Sequence, residues 1–94
     1  MVHNIMLYGA TGYSGRLIAS EMKLVSEDEP GAYRMILAGR DGNQLRALAQ
    51  ELEMECRVFG LDRRSDSERG LDGMHVVINA AGPFAWTAER LVLV

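Results

Sequence analysis

The sequence contains one cysteine, Cys56, and two prolines in 94 residues. A single cysteine cannot form an internal disulfide, so the chain is not a disulfide-stapled secreted domain, and a reducing cytoplasmic location is expected. The amino terminus has neither a basic segment nor an apolar run of the length that a signal peptide or a membrane span requires. We therefore expect a cytoplasmic globular protein without a membrane span.

Basic residues are also few: ten lysines and arginines stand against thirteen acids, for a net charge of −3. Nucleic acid is therefore not an expected partner, because binding it requires a basic surface. Hydrophobic residues make up 48% of the chain, which is typical of a globular domain. At this length the chain can form one modest core and has no room for a second domain, so residues 1–94 are predicted to be a single domain.

What the sequence does contain is an alternation of short apolar runs and amphipathic segments. The runs have the near-continuous apolar character of strands that are buried on both faces of a parallel sheet. They are residues 5–8, 34–40, 56–59 and 75–80. Parallel strands need crossover connections, which the intervening segments supply. The pattern predicts an α/β, Rossmann-like, doubly wound parallel sheet with strand order 3-2-1-4.

Two helices are predicted between the first three strands, on the same side of the sheet or on adjacent crossovers. In the first, residues 14–25, the apolar side chains share one predicted buried face; they are Leu17, Ile18, Met22 and Val25. The second begins after Asp41, which has Gln44 three residues later in the spacing of a helix cap. Residues 26–31 are predicted to be a solvated acidic loop, and residues 63–73 have room for a short helix at most.

The stretch YGATGYSG, residues 8–15, places three glycines between the first strand and the first helix. In a sheet of this order, that turn lies where the strand order reverses and faces the free amides of the helix. Gly9 is predicted to permit the tight turn, Gly12 the close approach of a pyrophosphate, and Gly15 the close packing of helix on sheet. The hydroxyls of Thr11 and Ser14 add donors, so the stretch predicts a phosphate-binding loop.

The stretch AGR, residues 38–40, ends the second strand at the position that faces an adenosine ribose in this fold. An acid there selects NAD, whereas Arg40 can donate a forked pair of hydrogen bonds to a 2′-phosphate, so NADP is the predicted cofactor and NAD the weaker one. Gly39 is predicted to leave room for that phosphate or for the adenine. Asp41 is predicted to cap the second helix, with a ribose contact as the alternative. Arg16 and Arg34 are further candidates to share the phosphate.

Two more stretches are candidates to contact the same cofactor. Asp62, in GLD after the third strand, is predicted to lie at the adenine edge or to be a simple turn acid. NAAGPF, residues 79–84, follows the fourth strand with small residues that let a cofactor lie over the backbone, and Pro83 stiffens the turn. Phe84 is predicted to face either the nicotinamide or the core. No metal site is expected, because His3 and His75 lack ligand spacing with any other candidate.

The last residues, 84–94, have a helical pattern that stops on LVLV without a cap. This ending predicts that the domain is incomplete at its carboxyl terminus. An incomplete domain would expose an apolar patch around Trp86, Leu91 and Val92, so association of copies into a homo-oligomer is expected.

GATGYSGR, AGR and NAAGPF together resemble the nucleotide-binding amino-terminal domain of the saccharopine dehydrogenase-like oxidoreductases, which include the trans-acting enoyl reductases. The resemblance implies an NADP-dependent oxidoreductase whose larger domain for a small-molecule substrate and for dimerisation lies outside this chain, so that the chain alone is not catalytic. It implies cofactor contacts from the glycine loop, from Arg40 and from the loop after the fourth strand. The implied loop residues are Gly9, Ala10, Thr11, Gly12, Tyr13, Ser14, Gly15, Ala81, Gly82 and Pro83.

Two alternatives remain open at this level. The cofactor domain of an extended or atypical short-chain dehydrogenase also opens with GATGxxG and carries N-x-A-G after its fourth strand. A redox-sensing module that holds NADP without turning it over is the second alternative. A Y-x-x-x-K sequence beyond Val94 would favour the short-chain family, whereas a long insertion of strands would favour the saccharopine-like one.

Overall fold

A computed structural model describes residues 2–80, which form four strands and three helices in alternation. In chain order these are β1 His3–Tyr8, α1 Tyr13–Asp28, β2 Tyr33–Gly39, α2 Gly42–Leu52, β3 Glu55–Val58, α3 Arg64–Gly70 and β4 Val76–Asn79. All strand pairs are parallel, and the sheet order is β3-β2-β1-β4. The predicted doubly wound, Rossmann-like class and strand order are therefore confirmed.

The strand register aligns the carboxyl ends of the strands at one edge of the sheet. Tyr8, the last residue of β1, lies opposite Ala38 of β2 and Asn79 of β4. On the other side of β2, Gly39 lies opposite Val58, the last residue of β3. The loops that follow all four strands consequently begin at the same edge, with the β1 loop between those of β2 and β4.

The two faces of the sheet carry separate cores, because successive side chains of a strand point to opposite faces. Leu7 of β1 packs in one cluster with residues of α1 and α2, while its neighbours Met6 and Tyr8 pack in the other with Leu71 and Met74. Both α1 and α2 thus cover the same face of the sheet. This is the first of the two predicted arrangements, in which both helices lie on the same side. Burial on both faces explains why the runs of β1 and β2 are apolar without interruption.

Helix α1 buries only part of the predicted face: Met22 is buried and Ile18 packs against the core, as predicted. Gly15, Ala19 and Met22 are its buried residues, whereas Leu17 is 57% exposed and Val25 is also exposed. Leu17 follows Gly15 by two residues, which is about 200° around a helix, so burying the small residue turns the large one to solvent. The helix also continues to Asp28, so the first residues of the predicted acidic loop are its last turn.

Helix α2 begins as its sequence predicts. The Asp41 carboxylate accepts a hydrogen bond of 3.1 Å from the Gln44 backbone amide, which is an N-cap. The short helix that residues 63–73 could accommodate is α3. The β3 and β4 boundaries differ from the predicted ones by one residue at each end. None of the helices in residues 2–80 is both long and apolar enough to cross a membrane.

The predictions for the carboxyl-terminal stretch lie outside the described residues. They are the contacts of Ala81, Gly82 and Pro83, the position of Phe84, the last helix, and the apolar patch at Trp86, Leu91 and Val92.

Candidate functional site

The loop after β1 is fixed to the end of β2 by its own backbone. The amides of Gly9 and Ala10 both donate to the Ala38 carbonyl, at 2.9 and 3.2 Å. This double contact requires a sharp change of direction directly after the strand. Gly9 makes the turn with a φ of +82°, in the left-handed region where a side chain is strained.

Helix α1 starts at the end of this loop without a side-chain cap. Gly12 is the N-cap residue, and its amide donates to the Gly9 carbonyl at 3.2 Å. The first helical hydrogen bond runs from the Arg16 amide to the Gly12 carbonyl, at 2.9 Å. The amides of Tyr13 and Ser14 come before the residue that makes that bond, and a glycine cap has no side-chain oxygen to accept from them. The positive end of the helix dipole is therefore directed at the open side of the loop.

The three glycines of the loop have different reasons to be glycine. Gly9 needs its positive φ, and Gly15 packs so tightly that a Cβ there would overlap the Gly9 carbonyl and the Ala10 backbone. Gly12 has an ordinary extended backbone, with φ −73° and ψ 172°, and within residues 2–80 the nearest atom to a Cβ at this position is the Gly9 carbonyl oxygen at 3.6 Å. The described part of the fold therefore does not require glycine at position 12.

The other predicted residues of this loop fall into two groups. Ala10 is fully buried, so its side chain contributes to the core rather than to a contact surface. Tyr13 and Ser14 are exposed, and Thr11 is half-buried. The Arg16 guanidinium folds back over the loop, where its Nε donates to the Thr11 carbonyl at 3.1 Å. A cation therefore lies beside the loop at the start of α1.

Arg40 and Asp62, which follow β2 and β3, meet at the same edge of the sheet. The Arg40 Nη1 and the Asp62 Oδ2 are 3.6 Å apart, and the two side chains are 69% and 76% exposed. The Arg40 stem lies against Gly60, where a Cβ would be 3.4 Å from its Cδ. Gly39 is buried, although a Cβ there would meet no atom of residues 2–80 within 4 Å.

Tyr8 supports the loop that carries Asp62. Its ring is buried, and its hydroxyl donates a hydrogen bond of 2.8 Å to the Phe59 carbonyl, directly after β3. The Phe59 ring lies 5.1 Å from that of Tyr8 and packs against Gly70, where a Cβ would overlap it. Burial raises the pKa of the Tyr8 phenol, and the charge of Asp62 raises it further against the opposing effect of Arg40. The phenol thus remains a donor at neutral pH.

Two other predicted candidates lie apart from this edge or already have a role. Arg34 is near the amino end of β2, six residues from Arg40 and therefore roughly 20 Å away along the strand. It forms two hydrogen bonds with Glu55, at 3.0 and 2.7 Å, so the expectation that it shares a phosphate with Arg40 is wrong. Asp41 is occupied as the α2 cap, in agreement with the favoured prediction.

His3 and His75 also lie at the amino ends of their strands. The His75 Nδ1 accepts a hydrogen bond of 2.8 Å from the Asn4 amide, which ties the start of β4 to β1. Residues 2–80 hold no group of three side chains able to bind a metal ion. The His3 ring lies 5.9 Å from that of His75.

Two features of the site were absent from the predictions. The Arg40–Asp62 pair was only partly predictable: both residues lie in loops after neighbouring strands of the expected sheet, but their meeting depends on the strand register. The contact between Tyr8 and Phe59 had no sequence signal, since both residues belong to apolar runs and the donor and acceptor are a side chain and a backbone carbonyl.

In comparisons with known proteins, no family model and no curated sequence matches this chain. The function of the site must therefore be inferred from its own geometry.

Proposed function

We propose that the chain is a dinucleotide-binding domain that takes NADP at the carboxyl edge of the sheet. The observation that carries this proposal is Gly12, which is a glycine although neither its backbone conformation nor its neighbours among the described residues require one. A missing side chain at the start of a helix with free amides allows an anion to approach the backbone closely. The pyrophosphate of a dinucleotide is the anion that suits a strand-to-helix turn in a doubly wound sheet.

The end of β2 supports the choice of NADP over NAD. Arg40 is exposed there, and a guanidinium can donate two hydrogen bonds to one phosphate. Asp41, the acid that would otherwise suit a ribose, already accepts from the Gln44 amide. The exposed cationic group therefore favours a ribose that carries a 2′-phosphate.

The described residues fit this cofactor by shape and by charge. Beside the bare Gly12 backbone, Tyr13 and Ser14 would hold the pyrophosphate with backbone amides, and Arg40 would hold the 2′-phosphate. Asp62 would lie on the adenine side, as predicted from its position after β3. When bound, a nicotinamide cofactor supplies or accepts a hydride. The residues of this chain bind and orient it, and we place the substrate-binding and proton-transfer groups outside the described residues.

Within this proposal, the preferred identity is the cofactor domain of a cytoplasmic saccharopine dehydrogenase-like oxidoreductase or enoyl reductase. It rests on the motifs GATGYSGR, AGR and NAAGPF, and the parallel sheet of order 3-2-1-4 is compatible with it. Hydride transfer would then require a separate substrate domain, and the homo-oligomer expected from the sequence belongs to the same proposal.

Chemical-shift mapping of the 94-residue chain tests the proposal directly. Addition of NADP to the isotope-labelled protein is expected to shift the amides of residues 9–16, 39–42 and 59–62 in a saturable way. Amides at the opposite edge of the sheet, such as Asn4 and Arg34, provide the internal control and should move little. Saturable shifts at that opposite edge alone, or no shifts at millimolar NADP, would contradict the proposed site.

A further inference from the structure

The guanidinium that would receive the 2′-phosphate already faces a carboxylate. The Arg40 Nη1 and the Asp62 Oδ2 are 3.6 Å apart, which is within ion-pair range but beyond the length of a hydrogen bond. Both side chains are largely exposed, so the pair can separate without disturbing a core. The arrangement is a loose ion pair at the rim of the site rather than a rigid structural bridge.

We propose that Asp62 is the resident counter-ion of Arg40, which the 2′-phosphate of NADP must displace, and that Asp62 thereby sets how strongly the site prefers NADP over NAD. This inference rests on the proposed function, because it concerns the residue that tunes the same site. A cofactor with a free 2′-hydroxyl brings no second anion to Arg40. Its affinity therefore does not depend on separating the pair.

The surrounding structure keeps Asp62 close to Arg40. The loop that carries Asp62 is held to β1 by the hydrogen bond from the Tyr8 hydroxyl to the Phe59 carbonyl. Gly60 lacks a side chain where the Arg40 stem crosses that loop. The nearer acid in sequence, Asp41, uses its carboxylate to cap α2. Asp62 is therefore the carboxylate placed to compete with an incoming phosphate.

The exposure of the pair limits the size of the effect. Ion pairs between exposed side chains are worth little, and releasing Arg40 from one corresponds to an affinity gain of about two- to fivefold. The gain should shrink as ionic strength rises, because salt screens exposed charges. It should be confined to ligands with a 2′-phosphate.

The test compares two mononucleotide probes that differ in that phosphate alone. Adenosine 2′,5′-bisphosphate and adenosine 5′-monophosphate are titrated calorimetrically into the parent chain, D62N and E55Q at low salt. D62N should increase the preference for the bisphosphate over the monophosphate about two- to fivefold, because any contact of Asp62 with the adenine is common to both probes. E55Q is the matched control, because it removes one carboxylate from the Arg34–Glu55 pair, which joins β2 and β3 near their other ends.

The outcomes separate this inference from the proposed function. If the parent chain binds both probes equally, the proposed NADP site is wrong, and the role of Asp62 is overturned with it. If the parent prefers the bisphosphate but D62N shows an equal or smaller preference than the parent, the counter-ion inference alone is overturned. Asp62 would then orient Arg40 for the phosphate or have no effect on phosphate binding. An equal gain in E55Q would also overturn it, since the effect would be one of net charge. Thermal unfolding of each variant confirms that the fold is retained.

Discussion

The Tyr8 hydroxyl donates a hydrogen bond of 2.8 Å to the Phe59 carbonyl, and this contact joins the end of β1 to the loop after β3. Tyr8 immediately precedes Gly9, the first residue of the glycine loop, while Phe59 begins the segment that carries Asp62. One buried side chain therefore links the proposed pyrophosphate end of the site to its adenine end. The geometry at both ends depends on the phenol remaining protonated.

The stability of the chain should accordingly fall at alkaline pH through Tyr8. Burial raises the pKa of its phenol above the ordinary value, so the folded state holds the proton more tightly than the unfolded state. The resulting stabilisation is complete below the unfolded pKa of about 10 and is lost as the pH rises through the higher folded pKa. Urea unfolding of the parent and of Y8F between pH 8 and pH 11 measures this loss.

Y8F should begin less stable at pH 8, by about 0.5–1.5 kcal/mol for the lost hydrogen bond, and should show a shallower alkaline decline. Y13F is the control, because Tyr13 is 84% exposed. Parallel declines of the parent and Y8F would show that Tyr8 does not carry the effect.

Replacement of Gly15 by alanine should destabilise the fold. The added Cβ would overlap the Gly9 carbonyl and the Ala10 backbone, which are fixed by their bonds to Ala38. Overpacking of this kind costs about 1–3 kcal/mol, and here α1 must move away from the sheet. Urea unfolding gives the cost, with S20A on the exposed side of α1 as control. Unchanged stability in G15A would mean that helix and loop are not in close contact.

Replacement of Gly12 by valine should leave the fold intact but weaken cofactor binding. The backbone at this position suits a branched residue, and a Cβ there lies in ordinary contact with the Gly9 carbonyl, so the fold should be retained. The side chain would occupy the path of the pyrophosphate and weaken NADPH binding by roughly tenfold or more, the loss expected for a charged hydrogen bond. Nicotinamide fluorescence measures the affinity, and circular dichroism checks the fold.

Parent-like affinity in a folded G12V variant would show that the glycine loop serves the turn alone. A47V is the control for the added bulk, because Ala47 on α2 is also exposed.

Arg40→Ala should remove the preference for NADPH. A charge-assisted contact to a 2′-phosphate is worth about 1.5–3 kcal/mol, and exposure of the side chain places the expected loss near the lower end, roughly tenfold. NADH affinity should change little, because NADH has no group for Arg40 to bind. R34A, which removes an arginine of similar charge from the other end of β2, should leave both affinities unchanged. Equal losses for NADPH and NADH in R40A would indicate a structural role for Arg40.

The sequence predicted the sheet well because β1 and β2 are buried on both faces, which leaves a continuous apolar signal in each. The Asp41 cap was also predictable, since it depends on residues three positions apart. The buried face of α1 was predictable only in part, because a hydrophobicity pattern gives weight to Leu17, whereas the packing is decided by the small size of Gly15. The Arg40–Asp62 pair depends on strand register, which a single sequence leaves open.

The central claim is that the carboxyl edge of this sheet binds NADP through the Gly12 loop and Arg40. Its most direct test is the affinity of the unmodified 94-residue chain for NADPH and NADH, measured in parallel at low ionic strength. The proposal predicts saturable binding of both, with NADPH roughly tenfold tighter and its advantage declining as salt is added. Equal affinities at low salt, or no saturable binding of either, would contradict it.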